Sequence, residues 1–364
     1  MKKKYTILII IGLLLILIRL LLPCFVLWYT NKTLAKMRGY YGHIEDIDLS
    51  LCRGAYIIKN MYLNKIEPAS KDQIPFFKAQ KIDLSLEWGA LFKGALVGKL
   101  VFHSPELIFT KDKVGLDDVR VSAPDFRALL KKLMLLKVNR LEAIEGTIHY
   151  IDNSVSPKID VALNHTHILA YNLSNVENRR AELPSTVTAH ASVYEGVFNF
   201  DMKLNALAVQ PTFDMNAEFK NVNLVKLNGF LKAYGNFDVS GGTFALYTEM
   251  AAKNGKFIGY VKPMITDLKV MGKEDRKDSF FNKIWEAIIS TAGFVFKNQA
   301  KDQLATKISI EGEFANPKIN TLGAVWEFLR NAFIQALIPS IDNELNINSV
   351  DIVKPDVKTK VDKK

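Results

Sequence analysis

Apolar and polar positions alternate along most of this chain with a period of two, the signature of strands that bury one face. In Gln80–Trp88, Ile82, Leu84, Leu86 and Trp88 fall on one side, and Lys81, Asp83, Ser85 and Glu87 on the other. Ile47, Leu49 and Leu51 oppose Asp46, Asp48 and Ser50 in the same way. Phe198, Phe200, Met202 and Leu204 alternate with Asn199, Asp201, Lys203 and Asn205. Phe213, Met215, Ala217 and Phe219 alternate with Asp214, Asn216, Glu218 and Lys220. Thr186–Val193 and Thr243–Met250 repeat the pattern less strictly. Turn residues punctuate these runs at Arg53-Gly54, Glu195-Gly196, Gly241-Gly242 and Asn254-Gly255. Asn-Gly is the strongest hairpin signal among them. The whole predicts a long twisted antiparallel sheet built of tandem hairpins.

Four segments depart from this period. Tyr5–Tyr29 is almost continuously apolar. At about 1.5 Å per residue such a run crosses the roughly 30 Å hydrocarbon layer of a bilayer. Trp28 and Tyr29 end it, where amphipathic aromatics favour the interface. Arg19 is costly inside the bilayer, and Pro23 is a kink signal. The run exceeds a secretory h-region and no small-x-small cleavage site follows, so an uncleaved anchor is preferred over a signal peptide. Leu21-Leu22-Pro23-Cys24 is a poor lipoprotein signal because Pro directly precedes the Cys. Residues 1–30 are thus read as an anchor and 31–345 as a β-rich body. Within the body, helical periodicity predicts helices near 122–136, 278–292 and 321–338, the last two with broad apolar stripes. The Lys-, Asp- and Val-rich residues 346–364 read as a disordered tail.

Composition alters this picture in two ways. The net charge of +10 favours anionic partners, and beside an anchor these are lipid head groups before nucleic acid, for which no motif is present. Lys2, Lys3 and Lys4 precede the span while Lys32, Lys36 and Arg38 follow it, so flanking charge does not orient it. Only two cysteines occur, and Cys24 lies inside the apolar run, so Cys52 has no partner for a disulfide framework.

The search for chemistry finds no G-x-S-x-G elbow, Walker loop, H-E-x-x-H or C-x-x-C. His165-Thr166-His167 would place two imidazoles on one strand face, but no third metal ligand can be named. Asp46 with Asp48, and Asp117 with Asp118, read as solvated positions before paired catalytic carboxylates. Sequons at Asn31, Asn164 and Asn172 are taken as incidental. The expectation is a protein without catalytic, metal or cofactor site.

Gly42–Lys111 carries a more particular order: two strands ending at Met61-Tyr62-Leu63, then Phe76-Phe77-Lys78-Ala79, Ile82–Leu86 and the turn Trp88–Lys93. Gly98–Phe102 and Ser104-Pro105–Phe109 follow. This order resembles the N-terminal module of AsmA-like proteins. Gly255–Pro263 and Gly312–Pro317 are similar to the C-terminal half of an uncharacterised AsmA-related domain group. The resemblance covers about residues 5–345. It implies a single-pass inner-membrane protein with a cytoplasmic N-terminus and a periplasmic body whose sheet curls into a groove or partly open barrel. It further implies an apolar β-groove that binds or conducts phospholipid or another acyl lipid in outer-membrane biogenesis or integrity. Candidate lining residues are then Ile82, Leu84, Leu86, Phe198, Phe200, Met202, Leu204, Phe213, Met215 and Phe219. The alternative is a non-catalytic scaffold that engages envelope proteins. About 14 strands at roughly 4.8 Å would extend about 65 Å, too short to bridge two membranes alone.

Overall fold

The structure, a computed structural model, describes residues 2–37, 39–50, 54–67, 70–86, 97–110, 137–153, 155–173, 181–206, 208, 210–235, 238–271 and 308–314. The chain is mainly β, with one long N-terminal helix and a large mixed sheet. The expected helices near 122–136, 278–292 and 321–338, and the tail 346–364, lie outside the described residues. So does Asp117-Asp118. The body expected as one domain divides into two compact units, Met1–Ser174 with His190–Ser192, and Asn175–Ala189 with Val193–Lys364.

In the first unit, helix α1 (Lys2–Leu34) is continuous through Pro23. Seven strands follow: β1 (Tyr40–Ser50), β2 (Ala55–Ile66), β3 (Gln73–Leu86), β4 (Val97–His103), β5 (Glu106–Thr110), β6 (Lys137–Asp152) and β7 (Ile159–Tyr171). Their hydrogen-bonded order is β1-β2-β3-β4-β6-β7, with β5 between β3 and β6 beside β4. The β1–β2, β2–β3, β3–β4, β3–β5 and β6–β7 pairs are antiparallel, as the alternation leads one to expect. β4 and β5 both run parallel to β6, which corrects the all-antiparallel expectation. The reason is connectivity: residues 111–136 join β5 to β6, long enough for the crossover that parallel neighbours require. Ser104, at φ +46°, and Pro105 break one edge-sharing strand into β4 and β5. The Ser104 N–H donates to Ile144 O, and Pro105 O accepts from the Thr147 N–H, each at 2.8 Å, so the break is stitched to β6.

In the second unit, β9 (Gly196–Leu204), β10 (Phe213–Asn223), β11 (Asp238–Lys253), β12 (Lys256–Met271) and β13 (Ile308–Glu313) form successive antiparallel neighbours. β8 (Ser185–Val193) meets β9 through a two-residue turn whose central residues are Tyr194 and Glu195, both at positive φ. The turn expected at Glu195-Gly196 is thus one residue early, and Gly196 is the first residue of β9. Asn254-Gly255 makes the expected two-residue turn between β11 and β12. Gly241-Gly242 makes no turn; both lie inside β11 at a bulge, with Gly242 at φ +129°. Two glycines therefore mark an irregular strand here. A 3₁₀ turn, Leu224–Leu227, leads into α2 (Asn228–Gly235), which the strand periodicity of its neighbours concealed.

An asparagine fastens each of the two described α-helices to a strand. Asn31 of α1 donates from Nδ2 to Ile44 O at 2.9 Å and accepts the Ile44 N–H at 2.7 Å. Asn228 of α2 does the same to Val239 O and N–H, each at 2.8 Å. Each carboxamide thereby replaces a neighbouring strand for one residue and satisfies backbone groups that the ladder leaves over.

Candidate functional site

The first unit's sheet is sided. Its registers align two apolar rows that start at β1. One runs Ile47, Ile58, Ile82, Phe102, Ala143 and Ile168 from β1 to β7. The other runs Leu49, Tyr56, Leu84, Leu100, Leu141 and Ala170. At about 4.8 Å between strands, each row covers about 24 Å. Ile47, Leu49, Ile82, Ala143 and Ala170 are buried, whereas Tyr56, Ile58, Leu84, Leu100, Phe102, Leu141 and Ile168 are half-buried. The band is apolar yet accessible along much of its length. Phe102 also meets the Phe77 ring edge-on at 5.9 Å.

The rows begin at α1. Ile44, Ile47 and Leu49 cluster with Leu34, and Leu22, Val26, Leu27, Met37, Tyr56, Ile58 and Met61 pack around them. The helix side chains and the first strand's side of the band are therefore one continuous apolar contact.

The intervening row mixes apolar Ile57, Val101 and Leu169 with charged Asp48, Asp83 and Glu142, and several charged residues on this face are paired. Lys59 bridges Asp46 at 2.7 Å, and Lys81 and His103 reach Asp83 at 3.0 and 2.8 Å. Arg140 and His167 reach Glu142 at 2.7 and 3.1 Å. Burial favours the protonated form of Asp83, but hydrogen bonds from Lys81 and His103 outweigh it and hold its carboxyl below the ordinary range. Glu142 is held low by the His167 hydrogen bond, opposed by burial and reinforced by Arg140. His165 and His167, expected to share a strand face, turn to separate carboxylates, Glu145 at 2.7 Å and Glu142 at 3.1 Å. Among the described residues no group of three or more His, Cys, Asp or Glu is arranged to hold a metal ion.

The second unit treats its apolar face differently. Cross-strand rows join Leu204, Phe213, Ala252 and Phe257; then Met202, Met215 and Met250; then Phe200 and Ala217; then Phe198, Phe219 and Leu246. All of these are buried, and solvent reaches the candidate lining residues Phe198, Phe200, Met202, Leu204, Phe213, Met215 and Phe219 to at most 7%. The Phe198 and Phe219 rings meet tilted by 35°, with centroids 4.6 Å apart. These seven residues are packed core, and a ligand would meet them only after that packing opened. Of the candidate lining in the first unit, Ile82 is buried and Leu84 is half-buried. Leu86 pairs with Gly98, outside both rows.

Sequence reasoning missed Tyr56, Ile58, Leu100, Phe102, Leu141 and Ile168 as band members. Alternation identifies which residues share a strand face, but only the register says which strands lie side by side. It also took Asn31 for an incidental sequon, whereas its amide is spent on Ile44. α1 contains a span, Ile9–Leu34, long and apolar enough to cross a membrane, as a single-pass anchor requires. No family model matches the chain, and no curated protein matches it in sequence.

Proposed function

We propose that this is a single-pass, AsmA-like envelope protein that binds or conducts an acyl lipid along the apolar band of its first unit. The observation that carries the reading is the pair of half-accessible rows that begin against the anchor helix. A lipid leaving the bilayer at α1 would find Leu49, Tyr56, Leu84 and Leu100 in register ahead of it. Burial of its chain against them would be worth roughly 0.8 kcal/mol per methylene, without any residue that reads a head group. In this reading the anchor lies in the inner membrane with its N-terminus cytoplasmic and the body periplasmic. No catalytic group is required.

The test uses full-length protein extracted in mild detergent, with bound phospholipid identified by mass spectrometry. Leu84→Asp and Leu100→Asp change half-buried positions, so the fold, checked by circular dichroism, is expected to survive. Co-purifying lipid is expected with the parent and several-fold less with the variants. A parent free of lipid, or folded variants that retain it in full, overturns the proposal. The packed face of the second unit supports a second reading, a scaffold whose apolar side chains are simply core; it is the one left standing by either of those results.

A further inference from the structure

We infer that the last three turns of α1 leave the hydrocarbon and lie in the membrane interface, clamped to β1 on one side and resting on anionic head groups on the other. This rests on the reading of α1 as a membrane span, and is independent of whether lipid enters the apolar band.

The span offers more length than a bilayer needs. Ile9–Leu34 has 26 residues, whereas about 20 cover the hydrocarbon layer. Which end lies outside follows from the docking of β1. A Cβ built on Gly42 would lie 3.3 Å from Leu34 Cβ, and Asn31 is bonded to Ile44. β1 therefore runs back along the helix towards the membrane. Leu49, five residues past Ile44, lies about 17 Å further along, equivalent to about eleven helical residues. That reaches the level of Leu20–Leu22, in agreement with the packing of Leu22 in the same cluster.

If hydrocarbon surrounded Leu22–Leu34, it would also surround the Asp46–Lys59 ion pair and the exposed Asp48. Each such charge costs about 2.5–3.5 kcal/mol at mid-bilayer even on insertion scales. The layer must therefore end no further along α1 than about Leu22, the level of Asp48, with Tyr5–Leu22 as the spanning portion. This placement also accounts for two liabilities of the sequence. Arg19 then lies about 4.5 Å below the boundary, within reach of snorkelling. Pro23 removes the helical donor to the Arg19 carbonyl at the depth where water can replace it.

Beyond Cys24 the helix has two distinct faces. Leu27, Asn31 and Leu34 share the face that meets the sheet. Phe25, Trp28 and Tyr29 lie on the opposite side, each more than half exposed. Phe25 lies 6.1 Å from the Trp28 ring and 6.4 Å from the Tyr29 ring. Lys32 folds back so that Nζ is 4.5 Å from the Trp28 ring centre. An aromatic belt that continues an apolar span, with an ammonium drawn down onto it, matches head-group phosphates in charge and depth. The edge of the first unit would thus be held flush with the bilayer.

The test places single spin-labelled cysteines at Leu20, Phe25, Tyr29, Lys32 and Asp48 of the full-length chain, with Cys24→Ser and Cys52→Ser as background. The protein is reconstituted in vesicles of phosphatidylcholine and phosphatidylglycerol, and accessibility to oxygen is compared with that to a water-soluble nickel chelate. The oxygen-to-nickel ratio is expected to be high at Leu20, intermediate at Phe25, Tyr29 and Asp48, and low at Lys32. Ratios at Phe25, Tyr29 and Asp48 as high as at Leu20 would overturn the inference, because the docked end would then be submerged. Ratios at Phe25 and Tyr29 as low as at Lys32 would also overturn it, because the end would stand clear of lipid. Water-like values at Leu20 itself would instead overturn the anchor reading on which it rests.

Discussion

At the scale of single residues, this fold relies on side chains that imitate or complete the backbone. Asn31 and Asn228 each bond both backbone groups of one strand residue, so a helix is tied to a sheet at a defined height without a disulfide or a buried ion pair. The charged positions of the first unit act likewise between strands, and one of them is expected to report on pH. The Glu142 carboxyl is depressed in the fold, by His167 first and then Arg140, from an unfolded value near the ordinary range of about 4.3. A depressed acid contributes stability that is present above its unfolded pKa and is lost as pH falls through its folded one. Below about pH 4.3, the parent is therefore expected to lose melting temperature faster than Glu142→Gln. Asp83 titrates similarly in both proteins and cancels. Parallel melting-temperature profiles for the two proteins would show that the His167–Glu142–Arg140 group contributes nothing.

At the scale of elements, glycine separates what the sequence makes legible from what it does not. Asn254-Gly255 is read correctly as a turn because both residues adopt positive φ and the pairing that leads into it, from Thr243 with Thr266 to Lys253 with Lys256, is regular. Gly196 is misread because its role is a close approach: a Cβ there would lie 2.3 Å from Lys220 O and 2.7 Å from Val222 N, both on β10. That partner strand is unknowable from the local pattern. Gly196→Ala is accordingly expected to destabilise the protein by about 1–3 kcal/mol, as overpacking does. Gly229→Ala, within α2 with nothing inside 4 Å of the new methyl, is expected to stabilise by about 0.5–1 kcal/mol. Thermal melts of the two variants decide the matter, and equal shifts would refute it. The parallel β4–β6 and β5–β6 pairs were illegible for the same reason as Gly196. Alternation in Leu141–Ala143 states which face each residue takes, and Leu100-Val101-Phe102, apolar throughout, does not; direction and neighbour depend on how residues 111–136 return the chain.

At the scale of the molecule, similar alternation yields two different apolar faces, and no residue type distinguishes them in advance. Phe213 in the second unit lies between Thr212 and Asp214 and Leu100 in the first between Lys99 and Val101, yet Phe213 is fully enclosed and Leu100 is half-buried. The difference lies in what packs against each face. Phe213 is flanked in register by Leu204 and Ala252 within rows that solvent does not enter. Leu100, between Leu84 and Leu141, is in a row whose middle members, Tyr56, Leu84 and Leu141, are only half-buried. Truncation should therefore separate stability from accessibility. Phe213→Ala is expected to cost about 3–5 kcal/mol through lost burial and the cavity it leaves. Leu100→Ala should cost well under the roughly 2–5 kcal/mol of a fully buried leucine, because water already reaches its side chain. Denaturant unfolding of both variants measures this directly. Comparable losses at the two positions would mean that the first unit's band is closed core, and the accessible surface on which lipid binding depends would be gone.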